Sequence, residues 1–167
     1  SHGGIITAQS KKGEGSIFSV YLPASDKIIP KEPESEQRVV RGAGTILLVD
    51  DEEMIIDVGT QLLNFLGYSV ISATSGRDAL SIYREKTDEI DLVILDMIMP
   101  LMGGDEIFEK LRQINPKGVI LLSSGYSMDG QAKKIMDKGC SGFIQKPFSI
   151  DDLSKKLDEI NRIRIDR

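Results

Sequence analysis

Tryptophan is absent from this 167-residue chain, and cysteine occurs once, as Cys140. A single thiol cannot close an internal disulfide, so a reducing, cytoplasmic location is the expectation. No apolar run approaches the roughly 20 residues that a spanning helix requires, which argues against membrane contact. Excess basic charge is also missing: the formal net charge is −5, and the 28% of charged residues carry both signs interspersed. Without a basic stripe, neither a nucleic-acid backbone nor an anionic membrane is an expected partner. The chain opens Ser1-His2-Gly3-Gly4, with neither an initiator Met nor a signal-peptide pattern, as expected for a piece of something longer. What is present is 40% hydrophobic residues, enough to bury one real core in one ordinary domain plus a remainder.

Residues 25–43 (SDKIIPKEPESEQRVVRGA) are rich in Pro, Glu, Lys and Ser, lack a sustained apolar period, and read as an exposed connector. Beyond them, in residues 44–167, five short apolar runs alternate with helical patterns: 45–50, 68–73, 91–96, 118–123 and 142–145. Strand and helix in strict alternation predict an α/β fold, a doubly wound parallel sheet of five strands with helices on both faces, a flavodoxin-like (βα)5 sandwich. Asp51 is expected to cap a helix to about Phe65, in which Met54, Ile55, Val58, Leu62 and Phe65 recur at helical spacing and Gly67 provides the stop. Ser75 with Asp78, and Ser149 with Asp152, resemble capping boxes before two further helices. Another helix is expected over 104–114, before Pro116, and another at about 129–138, closed by Gly139. Met97, Met99 and Met102 read as gap-filling packing, and Cys140 as a small buried filler.

In open parallel sheets, ligands bind in the crevice outside the carboxyl ends of the strands. Asp50 and Asp51 follow the first run, and Asp96 ends the third. Should those strands be neighbours, three carboxylates converge, and their repulsion calls for a hard divalent cation such as Mg²⁺. Ser124 follows the fourth run and Lys146 the fifth, which brings a hydroxyl and a cation to the same edge. Carboxylates with a metal, a lysine and a hydroxyl suit phosphoryl transfer, which depends on charge neutralisation and positioning, with Asp96 as nucleophile. Pro147, next to Lys146, is consistent with a cis peptide.

These residues also carry a family resemblance. The pair Asp50-Asp51, the stretch DMIMPLMGG around Asp96, the SSG at 123–125 and the KPF at 146–148 resemble the receiver domain of two-component response regulators over residues 44 to about 163. The resemblance implies that Asp96 takes a phosphoryl group from the phosphohistidine of a kinase or phosphotransfer domain. It implies that Asp51, Asp96 and the Ile98 carbonyl ligate Mg²⁺, with Asp50 acting through water. It further implies that Ser124 bonds the phosphoryl oxygen, that Lys146 pairs with it, and that Phe143 changes rotamer with Ser124. A weak homodimer fits such a domain. Ile98 and Tyr126 would flank the site with bulk and no group to position water, so slow hydrolysis is expected. A haloacid-dehalogenase-like phosphatase would need a second Asp where Ile98 stands; a degenerate receiver that only binds is the other alternative.

Ahead of the connector, residues 4–9 and 16–22 alternate about a Lys/Gly turn and predict a β-hairpin within residues 1–24. The His2-Gly3-Gly4 opening, the Gly13-Glu14-Gly15-Ser16 turn and the FSVYLP ending resemble the last two strands of a histidine-kinase ATP-binding domain. The nucleotide-contacting part of that family is absent, so this fragment is expected only to promote its own aspartyl phosphorylation. A kinase tail followed by a receiver resembles the C-terminal part of a hybrid sensor histidine kinase. The hairpin is expected to pair with a sheet edge, in its own molecule or a neighbour.

Overall fold

A computed structural model describes residues 3–24, 39–125 and 135–165. The chain divides into two compact units, Ser1–Glu36 and Gln37–Arg167. In the first, β1 (Ile5–Lys11) and β2 (Gly15–Tyr21) pair antiparallel, Ile5 opposite Tyr21 and Lys11 opposite Gly15. Gly13 and Gly15 take the left-handed backbone that the tight turn requires. Among the described residues, the two strands form a sheet of their own, without a further strand of this chain. The hairpin's apolar side chains remain exposed: Phe18 is 71% and Ile6 70% accessible.

The second unit runs β3 (Thr45–Val49), α1 (Glu53–Phe65), β4 (Ser69–Ala73), α2 (Gly76–Glu85), β5 (Leu92–Asp96), α3 (Gly104–Ile114), β6 (Ile120–Ser124), β7 (Gly142–Gln145) and α4 (Ile150–Ile165). Its five strands are parallel in the order β4-β3-β5-β6-β7. This is the doubly wound α/β sandwich that the alternation predicts. Central strands are buried on both faces, so Leu47, Val93, Leu95, Ile120 and Leu122 enter one core layer with α2 and α3. Ile46, Leu48, Ile94 and Leu121 enter the other with α1 and α4. The expected helix at 129–138 falls mostly outside the described residues; 135–137 are helical, and Gly139 after them is left-handed. No helix among the described residues is long and apolar enough to cross a membrane.

Both serines cap their helices, and Ser149 completes a capping box, its amide donating to Asp152 at 2.9 Å. The Ser75 hydroxyl accepts the Asp78 amide at 3.2 Å, and the Ser149 hydroxyl accepts that of Asp152 at 3.2 Å. The first helix departs from expectation at its start. Glu52, not Asp51, occupies its N-cap position, and no side chain caps it. Asp50 accepts the Glu52 amide at 3.2 Å, while the Asp51 carboxylate joins an acidic cluster. The buried face of α1 is Ile56, Gly59 and Leu63, whereas Met54, Val58 and Phe65 stay exposed at 75%, 51% and 56%. Gly59 explains the rotation. A Cβ there would come within 2.8 Å of the Leu48 side chain, so this face approaches the sheet most closely and the helix is left with a second, uncovered apolar face.

Met97 and Met99 are buried and Met102 packs against the same layer, in keeping with a packing role. Cys140 is half-buried, and its thiol lies 2.9 Å from the Gly142 carbonyl. Burial pushes that thiol's pKa up.

Candidate phosphoryl-acceptor site

Strand order settles the condition on which the carboxylates converge. β3 and β5 are neighbours with Val49 opposite Leu95, so the next residues, Asp50 and Asp96, leave adjacent strand ends side by side. Ser123 pairs with Asp96 across β5 and β6, which puts Ser124 one residue beyond at the same rim. The Lys146 amide donates to the Ser124 carbonyl at 2.7 Å, fixing the loop after β7 there. The Lys146–Pro147 peptide is cis.

Carboxylate oxygens of Asp50, Asp51 and Asp96 lie within 4.8 Å of one another. Asp50 is 2% and Asp96 5% exposed, so little water screens them. The Lys146 ammonium donates to Asp50 Oδ2 and lies 3.1 Å from Asp96 Oδ1. Burial is the main cause that pushes the Asp96 pKa up; Lys146 opposes it, Asp50 adds to it, and the Ile98 amide donates to the carboxylate and lowers it. For Lys146, burial pulls the pKa down, but the hydrogen bond to Asp50 and the charges of Asp96 and Asp50 outweigh it, so the ammonium is held protonated. Three carboxylates facing one cation leave net negative charge in a partly dry crevice. This all-oxygen set, open on one side, fits a hard divalent ion of the Mg²⁺ type, with Asp50, Asp51 and Asp96 as the side chains able to hold it.

Ser124 ends β6, buried to 5% exposure. Phe143 lies on β7, half-buried against the α2/α3 layer. Ile98 is 55% exposed at the mouth of the site, and Tyr126, expected on the other flank, lies outside the described residues. A groove of about 570 Å³ opens onto Asp96, walled by Ile55, Val58, Gly59 and Leu62 of α1 and by Phe148. It uses part of the second apolar face of α1.

Reading the sequence missed two neighbours of the site. Gly104 starts α3 so close to β5 that a Cβ would sit 2.7 Å from Met97 Cα and 2.8 Å from the Asp96 carbonyl oxygen. Its signal was the Gly103-Gly104 pair, legible only as part of a longer motif. Leu101, in the loop after Asp96, is fully exposed with φ of 68°, an unusual conformation for leucine.

Comparison with known proteins agrees with this geometry. The response regulator receiver domain family matches residues 46–158. The sensor kinase CckA of Brucella abortus is 34% identical over 167 residues, covering 95% of this chain and 18% of that protein. A response regulator receiver domain protein from Clostridium thermocellum has a similar structure, with a TM-score of 0.69 and 31% identity over 74% of this chain and 99% of that one. So does the response regulator TrrA from Thermotoga maritima, solved in complex with Mg(2+)-BeF, with a TM-score of 0.62 and 29% identity over 70% and 98%. The chain thus spans about a fifth of the kinase it matches but nearly the whole of these solved domains. A match over most of the second unit, on a doubly wound sheet with its acidic rim assembled, makes this chain a member of the response regulator receiver domain family of two-component phosphorelays.

Proposed function

We propose that Asp96 is the phosphoryl acceptor and that its donor is a phosphohistidine on a kinase or phosphotransfer domain. The observation that carries this reading is the buried meeting of Asp96 with Asp50, Asp51 and Lys146 at one rim of the sheet. An Asp96 carboxylate oxygen attacks phosphorus, the P–N bond breaks, and the imidazole leaves with the electron pair and is protonated. Bound Mg²⁺ would supply charge neutralisation between the carboxylate and the incoming group, held by Asp50, Asp51, Asp96 and the Ile98 carbonyl. Lys146, already protonated against Asp50 and Asp96, turns to the new phosphoryl oxygens. The Ser124 hydroxyl donates to one of them, and Phe143 moves inward as Ser124 does. The second apolar face of α1, beside the groove at Asp96, gives a donor helix a surface on which to seat.

The whole protein is read as a hybrid sensor histidine kinase with a cytoplasmic receiver. Residues 1–24 are then the end of its ATP-binding domain, residues 25–43 the connector and residues 44–167 the receiver. Similarity to CckA along 95% of the chain supports this. Ile98 at the mouth supports slow hydrolysis, because its side chain has no group to orient a water. Incubating the protein with radiolabelled acetyl phosphate and Mg²⁺ should label it, with a half-life well beyond seconds. Asp96→Asn, or removal of Mg²⁺, should abolish the label; label persisting in Asp96→Asn would overturn the assignment.

A further inference from the structure

Residues 39–42 read in the sequence as the end of an exposed connector, yet the structure ties them down on both sides. Val40 offers both its backbone groups to one hydroxyl: its amide donates to Ser154 Oγ at 2.9 Å, and Ser154 Oγ donates back to the Val40 carbonyl at 3.2 Å. Ser154 sits in α4 and is 4% exposed. Serine is a weak helix former, and in mid-helix its hydroxyl commonly turns to its own backbone. Here it serves a chain segment 114 residues away.

The other side of the strap rests on the end of α1. The Gly42 amide donates to the Leu66 carbonyl at 2.9 Å, and the Arg41 guanidinium lies over the Phe65 ring at 5.6 Å. Val39 packs against the core layer formed by α1 and α4. Gly42 is demanded by the fit: a Cβ there would meet Tyr68 Oη at 1.9 Å, and that hydroxyl accepts a hydrogen bond from Asn161 of α4 at 2.9 Å. Gly67 matches it from the opposite side, since a Cβ at Gly67 would meet the Gly42 carbonyl at 2.5 Å.

We propose that residues 39–42 are a latched strap, closed by Ser154, that binds α1 to α4 and fixes where the preceding chain joins the receiver. The joint lies on the α1/α4 side of the sheet at the amino ends of the strands, the edge opposite the carboxyl ends that carry Asp96. The latch itself stands on contacts remote from the acidic rim and does not depend on the acceptor reading.

Amide exchange followed by NMR on the full chain tests this. In the wild type, the Val40 and Gly42 amides should exchange at least about tenfold slower than unstructured amides. Ser154→Ala should accelerate Val40 by about tenfold or more while Leu47 in β3 stays protected and Asp96 still labels from acetyl phosphate. Gly42→Ala should release Val40 from the opposite side, because the added methyl cannot fit under Tyr68. Val40 exchanging at the unstructured rate in the wild type, or staying slow in Ser154→Ala, overturns the latch. Should Ser154→Ala also lose protection at Leu47, Gly42→Ala decides: Val40 fast with Leu47 slow supports the strap, and Val40 unchanged overturns it.

Discussion

The hairpin and the five-stranded sheet are written in the same alphabet, with opposite outcomes. In β2, Ile17, Phe18, Val20 and Tyr21 are 59–71% exposed; in β3, Ile46, Leu47, Leu48 and Val49 are 0–3% exposed. Strand-forming residues do not make a core by themselves. They make one when other elements cover them, and the α/β alternation of residues 45–165 brings helices to both faces of its sheet. An isolated two-stranded hairpin has marginal stability, whereas the five-stranded sheet has core layers of its own on both faces.

The sharpest way to break that contrast is to truncate a phenylalanine in each region. Phe108→Ala in α3, 1% exposed, should cost about 3–5 kcal/mol, whereas Phe18→Ala should change stability by less than about 0.5 kcal/mol. Urea unfolding of both variants checks this, and equal losses would mean that the hairpin belongs to the receiver's cooperative unit. Next in size is the metal. Mg²⁺ at about 100 times its dissociation constant should stabilise the receiver by about 2.7 kcal/mol, and Asp51→Asn should shrink that gain in a thermal melt. Gly104→Ala should follow, at about 1–3 kcal/mol, because the methyl meets the backbone of Asp96 and Met97, and it should also slow Asp96 labelling by displacing the loop.

How much of this was legible in the sequence depended on whether neighbours or periodicity set the answer. Every strand of the sheet lies within two residues of its apolar run, because buried parallel strands are short and uninterrupted. Asp50, Asp51, Asp96, Ser124 and Lys146 were legible because each ends or follows a strand, and a parallel sheet carries all such ends to one rim. Which face of α1 is buried was not legible: Met54, Val58 and Phe65 share the helical period with the core face, and the close approach of Gly59 to Leu48 chooses between them. The pairing of Lys146 with Asp50 joins positions 96 residues apart, so no local pattern announces it. The same holds for Val40 and Ser154, which left residues 39–43 looking like plain connector.

The smallest expected effect concerns the cap of α4. Hydrogen bonds from the Ser149 side chain and then its amide hold the Asp152 carboxyl below the ordinary carboxylate range. A lowered folded value means that this contribution is complete above the ordinary value and is lost as pH falls through the lowered one. Ser149→Ala should cost about 1 kcal/mol near neutral pH, and the difference from wild type should shrink in acid, as urea midpoints across pH will report.

The most direct test of the account is chemical mapping of the phosphorylated residue. Protein labelled by acetyl phosphate with Mg²⁺ is reduced with borohydride, which converts an aspartyl phosphate to homoserine, and its peptides are weighed. Homoserine at position 96 alone is the predicted result. Homoserine at position 50 or 51, or a label that yields none, would contradict the claim that the acidic rim serves a single acceptor.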